Sequence, residues 1–242
     1  MAEERQDPPK PRGSCLGKLA SLFTFAGVLG LGVAVFYITQ PQDLSDLKGT
    51  SPAAGTARTR DLHQVLKNAV HQSFPLNLTE EEINLYLKQS LQAKQGGALE
   101  KFVTLDDVRV RLEKGMAEVI IVRSVMGRPL TTSMYFRVEQ NVALNDQAST
   151  DIIRDGGTLF PMIPDTQIAH RVAKGGRFGQ LVVPAGFVKV LALPAFEKLA
   201  DAYKPELDIA FTQMARISIE DGKLVLDPRP NGSALPGAGE KF

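Results

Sequence analysis

The first hundred residues contain three stretches whose apolar residues predict helices. Residues 19–39 read LASLFTFAGVLGLGVAVFYIT without a charge, which is long enough for a helix that crosses a membrane. Residues 61–74 carry apolar residues at every third or fourth position and predict an amphipathic helix. A capping box of Thr79 and Glu82 begins another amphipathic helix within residues 77–92.

After residue 105 the spacing of the apolar residues shortens to strict alternation. Val108, Val110 and Leu112 alternate with charged residues, which predicts a strand with one buried face. Lys114-Gly115 supplies a turn, and residues 116–123 return as a second strand. This part of the chain therefore predicts a β-hairpin.

A long strand and a second hairpin complete the predicted sheet. The strand lies within residues 130–144, and residues 215–228 alternate around Asp221-Gly222, a dipeptide typical of hairpin turns. Two similar hairpins far apart in sequence suggest a pseudo-symmetric sheet. The elements together predict an α+β fold, in which an N-terminal transmembrane helix precedes one domain with an antiparallel sheet packed on helices.

Composition divides the chain into five parts. We predict a cytoplasmic tail over residues 1–18, a transmembrane anchor over 19–40, a linker over 41–58, an extracytoplasmic α+β domain over 59–228, and a disordered tail over 229–242. The linker is rich in Gly, Pro, Ser, Thr and Ala. We therefore expect it to let the domain stand off the membrane.

The charges around the anchor predict its orientation. Basic residues precede it, whereas the acidic residues Asp43 and Asp46 follow soon after. This asymmetry predicts that the N-terminus lies in the cytoplasm and the domain on the other side of the membrane. The apolar run is longer than that of a signal peptide and no small-x-small cleavage site closes it, so we expect the anchor to remain. Ala26, Gly30 and Ala34 recur every four residues, which leaves open a homodimer through this helix.

Residues 174–199, KGGRFGQLVVPAGFVKVLALPAFEKL, are almost as apolar as the anchor, and three interpretations remain open. A second membrane span is short, broken by Pro194, and carries Lys189 near its centre. A plain core helix beneath a sheet is the second interpretation. In the third, the segment lines a groove whose other filling is a lipid tail, or it dips into the membrane surface.

The third interpretation names a set of candidate site residues. The predicted ligand-binding wall consists of Phe178, Leu181, Val183, Phe187, Val188, Leu191, Leu193 and Phe196. The facing residues of the sheet should include Val108, Val110, Ile120 and Phe136. Cations beside an apolar surface suit an anionic headgroup, for which we predict Arg171, Lys174 and Arg177. A solvated, glycine-rich loop is the alternative explanation of these cations.

The order of these motifs resembles that of a known group of proteins. NLTEEEINLYLKQSL, VRVRLEKGMAEVIIVRSVMGRPLTTSMYFRVE and GGRFGQLVVPAGFVKVLALPAFEKL together cover most of residues 77–228. They are similar to the YpmS-like single-span extracytoplasmic proteins of bacteria and, more loosely, to tubular lipid-binding (TULIP-like) domains. The resemblance implies a curved antiparallel sheet wrapped against a long helix, with an interior able to hold acyl chains. An extended segment over residues 141–165 departs from the group.

Composition and motifs argue against several classes of function. A formal net charge of +1 gives no reason to expect a nucleic-acid partner. With one cysteine, the chain can form no internal disulfide and no cysteine-based zinc site. His63, His71 and His170 lack metal-ligand spacing, and no nucleophile-elbow, P-loop or zinc-protease motif is present. Asp151, Asp155 and Asp165 lie in a segment that we predict to be irregular, and their spacing is not that of an EF-hand. We therefore predict no catalytic residue, metal or cofactor.

The sequence thus favours a non-enzymatic, membrane-anchored, extracytoplasmic domain that binds lipid or another apolar ligand. Together with the resemblance, this predicts a place at the inner membrane of a bacterium. The expected partner is membrane lipid, and another envelope protein or a second copy of the chain, paired through the anchor, remains open. The alternative is an assembly or scaffold protein of the cell envelope that docks a partner protein through the same apolar segment. A third candidate is an enzyme whose site has no recognised motif. Vacant apolar space around residues 184–196 would favour the lipid-binding hypothesis.

Overall fold

A computed structural model gives the fold of residues 15–47, 60–94, 103–125, 127–142, 148–160 and 172–229. In chain order the elements are α1 (Cys15–Thr39), α2 (Leu62–Gln72), β1 (Leu76–Thr79), α3 (Glu80–Lys94), β2 (Val103–Glu113), β3 (Met116–Val125), β4 (Arg128–Val142), β5 (Ala148–Ile153), β6 (Lys174–Phe178), β7 (Leu181–Pro184), α4 (Ala185–Leu191), α5 (Leu193–Ala202), α6 (Lys204–Thr212), β8 (Arg216–Glu220) and β9 (Lys223–Asp227). The α+β class with antiparallel sheets is confirmed.

Helix α1 is the apolar helix that the sequence predicts. Its stretch Gly17–Thr39 has 23 residues and a mean hydropathy of 2.2, so it is long and apolar enough to cross a membrane. In the described part of the chain it alone meets this criterion. Helices α4 and α5 have only 7 and 10 residues, so the second-span interpretation of residues 174–199 is wrong.

Two antiparallel sheets form the domain, where the sequence predicted one. The larger sheet has the strand order β2-β3-β4-β6-β7, with β5 paired to the C-terminal half of β4. The smaller sheet has the order β1-β9-β8. Strand β1 was not predicted because only Leu76 and Leu78 mark its buried face, and two residues are too few to establish alternation.

Backbone hydrogen bonds between the two hairpin turns join the sheets. Gly115 N donates to Ile219 O at 2.8 Å, and Gly222 N donates to Leu112 O at 2.9 Å. Both glycines have a positive φ, which these tight turns require. The two hairpins that the sequence suggested as parts of one pseudo-symmetric sheet therefore belong to different sheets and meet at their tips.

Helix α3 covers the outer edge of β2 with polar side chains. The Asn84 amide donates to Val110 O at 2.9 Å and accepts from Val110 N at 2.7 Å, as a neighbouring strand would. The Glu80 carboxylate accepts from Leu112 N at 2.9 Å. Since an open edge exposes unpaired backbone groups, these bonds both protect β2 and fix α3 against it.

The C-terminal end of α1 is fastened to the turn between β6 and β7. Gln180 N donates to Tyr37 O at 3.0 Å. Gly179 has a φ of 55°, and a Cβ at this position would lie 2.4 Å from the carbonyl oxygens of Ile38 and Gln40. The last carbonyls of a helix have no partner inside it, so the turn caps α1. We call this contact the joint.

Residues 41–47, the first part of the predicted linker, lie against the larger sheet. Gln42 is buried, and its N–H donates to Thr131 Oγ1 at 2.9 Å. Arg111 Nη2 binds Asp46 at 2.9 Å. The prediction that the linker lets the domain stand off the membrane is therefore wrong for these residues, because their polar groups bind the sheet. The rest of the predicted linker lies outside the described residues.

Replacing Gly179 by alanine tests the joint. Gly115 is the matched control, because its φ is also positive but no atom would lie within 4 Å of an added Cβ. Both substitutions lower the free energy of unfolding by about 1 kcal/mol, because alanine is strained at a positive φ. Gly179→Ala lowers it by a further ~1–3 kcal/mol, because the added Cβ clashes with the carbonyl oxygens. In nanodiscs, only Gly179→Ala should speed hydrogen exchange of the amides of residues 41–47. Equal exchange in the two variants would contradict the joint.

Asp227 ties the end of the smaller sheet to two arginines. Its carboxylate accepts from Arg229 Nε and Nη2, both at 2.9 Å, and from Arg216 Nη2 at 2.6 Å. The hydrogen bonds from Arg229, and to a smaller extent that from Arg216, hold the pKa of Asp227 well below its ordinary value. The ionised form of Asp227 therefore stabilises the folded state.

A depressed carboxyl pKa gives a stability whose pH dependence has a definite sign. The contribution of Asp227 is fully present above its unfolded pKa of about 3.9 and is lost as pH falls toward the folded pKa. We expect the melting temperature to fall on acidification below about pH 5, and Asp227→Asn to make that fall shallower while lowering the value at pH 7. If the melting temperatures of the two proteins fall in parallel as the pH is lowered, Asp227 contributes nothing to the pH dependence of stability.

Candidate functional site

A cavity of about 420 Å³ lies between the apolar faces of the two sheets. The larger sheet lines it with Val108, Val110, Leu112, Val119, Phe136 and Val138. The smaller sheet lines it with Ile217, Ile219, Leu224 and Leu226. Because side chains alternate along a strand, the same residues that make each sheet amphipathic are those that face the cavity.

Four helices line the remaining sides of the cavity. They contribute Leu62 from α2, Ile83, Tyr86 and Leu87 from α3, Phe196 and Leu199 from α5, with Tyr203 directly after it, and Leu207, Ala210 and Phe211 from α6. In α3, α5 and α6 these residues lie at helical spacing and share one face. The cavity is therefore lined by apolar residues of two sheets and four helices.

Two tyrosines of the wall form side-chain hydrogen bonds. Tyr86 Oη donates to Glu206 Oε1 at 2.6 Å, and Tyr203 Oη lies 2.9 Å from Ser90 Oγ. Burial, and then the bond to Glu206, raises the pKa of Tyr86 above its ordinary value, so its hydroxyl stays protonated as a donor. Burial likewise raises the pKa of Tyr203. Neither tyrosine is a ready proton acceptor.

The mouth of the cavity is marked by the lining residues that solvent reaches. Ile152 is 43% exposed, and Arg154 and Ala200 are also exposed. We infer that the cavity opens between the end of β5 and α5. A smaller hollow of about 160 Å³, the side hollow, shares Arg154 with the cavity and reaches Lys189 on α4.

The predicted wall residues are divided among four places. Phe196 lines the cavity, whereas Val188 and Leu193 line the side hollow. Phe187 and Leu191 are exposed, at 60% and 67%. The remaining three pack in a core cluster beneath α4 and α5; they are Phe178, Leu181 and Val183. Ligand binding by these residues stays a prediction, and the structure places most of the wall elsewhere.

The predicted facing residues of the sheet mostly lie at the cavity. Val108, Val110 and Phe136 line it. Ile120 is fully buried, and alternation along β3 places it on the opposite face of the sheet from Val119. The alternating pattern of β2 was thus sufficient to identify part of the wall.

The two predicted headgroup residues that the structure describes, Lys174 and Arg177, do not line the mouth. Arg177 Nε donates to Tyr135 Oη at 2.8 Å and lies 3.5 Å from the Glu118 carboxylate. Lys174 lines neither the cavity nor the side hollow. Arg171 lies outside the described residues. Arg177 therefore belongs to the opposite face of the larger sheet, and headgroup binding by the three residues stays a prediction.

A buried polar network occupies that opposite face. Glu118 is 2% exposed, and its carboxylate accepts from Arg111 Nη1 at 2.7 Å and from Ser133 Oγ at 2.5 Å. Gln42 Nε2 in turn donates to Ser133 Oγ at 3.3 Å. A buried charge must be paired and hydrogen-bonded, and here the chain that follows α1 completes the pairing. This network holds residues 41–47 and leaves the cavity face free of them.

Several site residues were missed at the level of sequence. Helix α6 supplies Leu207, Ala210 and Phe211, which lie at helical spacing after a proline in the first turn. That signal was present but short. Strand β5 supplies Ile152, and it lies in the segment that was predicted to be irregular. Its pairing with β4 is a tertiary contact that its own composition does not reveal.

The acidic and histidine residues of the described chain form no candidate metal site. No three His, Cys, Asp or Glu side chains among the described residues are placed to hold a metal ion. Asp107 pairs with Arg109, and Asp155 pairs with Arg137 at 2.6 Å. These carboxylates hold strands and turns in place.

Comparison of the chain with models of protein families, with curated proteins and with solved structures finds no match. The resemblance to YpmS-like proteins and TULIP-like domains therefore stays a prediction. What the structure itself defines is an α+β domain that encloses an apolar cavity and is joined to an N-terminal apolar helix.

Proposed function

We propose that this protein binds a lipid or similar apolar ligand by taking one long apolar chain into the cavity between its sheets. The observation that carries the proposal is unfilled apolar volume. The cavity of about 420 Å³ is lined almost entirely by apolar side chains and opens to solvent, so its wall lacks the packing contacts that a dense protein interior provides.

Water is a poor filling for this cavity. An ordered water needs two to four polar partners, and the wall offers few beyond Tyr86 and Glu206, which bind each other. A flexible apolar chain gains contact with every side of the cavity. An apolar ligand therefore gives the cavity wall the packing contacts that water cannot give.

The volume favours a single chain. A volume of about 420 Å³ lies toward the lower end of the range for pockets that hold one small ligand, about 300–1,000 Å³. The cavity therefore suits one acyl chain better than several. The tubular arrangement of a curved sheet around such a chain, which the family resemblance implies, is part of this proposal.

We further propose that α1 anchors the domain in the inner membrane of a bacterium, with the N-terminus in the cytoplasm. The basic residues before α1 and the acidic residues after it support this orientation. The joint supports a position close to the bilayer, because Gln180 of the domain bonds directly to Tyr37 at the end of α1. The membrane is then the nearest source of acyl chains.

The proposal is tested by native mass spectrometry of the chain released from nanodiscs. We expect one acyl-chain molecule to remain bound. Ala210→Phe places a phenyl group into the cavity from α6 and should reduce the bound fraction severalfold. Ala202→Phe adds the same group at an exposed position of α5 and should leave it unchanged. Equal retention by the two variants, or none by the parent chain, contradicts the proposal.

The exposed apolar side chains of α4 could be covered by another envelope protein, which is the second candidate function, or by the lipid surface. Phe187, Val190 and Leu191 are 60%, 76% and 67% exposed, which is unusual for a cluster of large apolar residues. Strand β7 has only four residues between the joint and α4, so α4 begins within ~13 Å of the joint at ~3.3 Å per residue. We therefore expect the lipid surface, not a protein, to cover these side chains.

Tryptophan fluorescence separates the two occupants of α4. The chain has no tryptophan, so Phe187→Trp introduces a single tryptophan whose emission can be selectively excited. In nanodiscs with brominated lipids its emission should be quenched severalfold more than that of Phe74→Trp, a partly exposed position beyond α2. Equal weak quenching at the two positions would contradict membrane contact and favour the docking of a partner protein.

A further inference from the structure

We propose that Arg154, assisted by Lys189, binds the anionic headgroup of the molecule whose chain fills the cavity. The inference rests on the proposed function and narrows it to a class of ligand. That class is an amphiphile with one acyl chain and a carboxylate or phosphate headgroup, such as a fatty acid or a lysophospholipid.

The position of Arg154 connects the cavity to solvent. Ile152 and Arg154 are two residues apart at the end of β5, so both face the cavity, and both are exposed. A chain that enters here places its polar end at Arg154. The aliphatic part of an arginine packs against apolar surface while its guanidinium reaches water, which suits the rim of an apolar cavity.

Lys189 brings a second cation to the same rim. It lines the side hollow with Arg154, and the floor between them is apolar, formed by Val188 and Leu193. The side hollow of about 160 Å³ has room for a carboxylate or phosphate group with its first carbons. The two cations and the apolar floor together match an anionic headgroup and the start of its chain.

Neither cation is neutralised within the described part of the chain. Arg154 and Lys189 form no ion pair or hydrogen bond with its residues. Asp155, the nearest carboxylate in sequence, is held by Arg137 at 2.6 Å. Two unpaired cations that share a hollow gain from an added anion, and a guanidinium can bind a carboxylate or phosphate with two parallel hydrogen bonds.

Photo-crosslinking of the full chain in nanodiscs tests the headgroup site. Three diazirine-bearing probes share one acyl chain and differ at the end, as a fatty acid, a lysophosphatidic acid and a fatty alcohol. Labelled peptides are mapped by mass spectrometry. In the parent chain the two anionic probes should label cavity-lining peptides about fivefold more than the alcohol, and Arg154→Gln should remove that preference without lowering the label from the alcohol.

Two further variants complete the test. Arg128→Gln removes an exposed arginine that lines neither the cavity nor the side hollow, and it should change nothing. Lys189→Gln should reduce the labelling by both anionic probes. Equal labelling by acid and alcohol in the parent chain overturns the headgroup site but leaves the cavity intact. Absence of cavity labelling by all three probes overturns the proposed function as well.

Discussion

The apolar faces of two sheets oppose each other across a space that their own side chains do not fill. Protein interiors are normally packed as densely as organic crystals. Here the turns of the two hairpins are bound to each other through Gly115 and Gly222, and Asn84 of α3 is bound to β2. These bonds fix the separation of the sheets, so the space cannot close by sliding one sheet over the other.

The larger sheet separates two tasks by face. On one face, alternating apolar residues line the cavity. On the other, Glu118 and Arg111 form a buried ion pair that binds the chain leaving α1. Breaking a buried pair on one side is strongly destabilising, because it leaves a charge without a partner. Residues 41–47 are therefore part of the folded domain, and the proposed ligand contacts only the opposite face of the larger sheet.

The sequence predicted most elements and part of the cavity wall. The capping box is present, with Glu82 N bound to Thr79 Oγ1 at 3.2 Å, and the alternation in β2 correctly selected Val108 and Val110. Periodicity reports which residues are buried but not what they are buried against. It therefore could not separate the core cluster beneath α4 from the cavity wall on α5. Nor could it reveal that Gln42 binds a strand 89 positions away.

An experimental electron-density map of the chain purified from membranes tests the central claim most directly. The account predicts a continuous, elongated density in the cavity between Val119 and Ile217, with its wider end beside Arg154. A cavity that has collapsed, with those two side chains in van der Waals contact and no density between them, would contradict it.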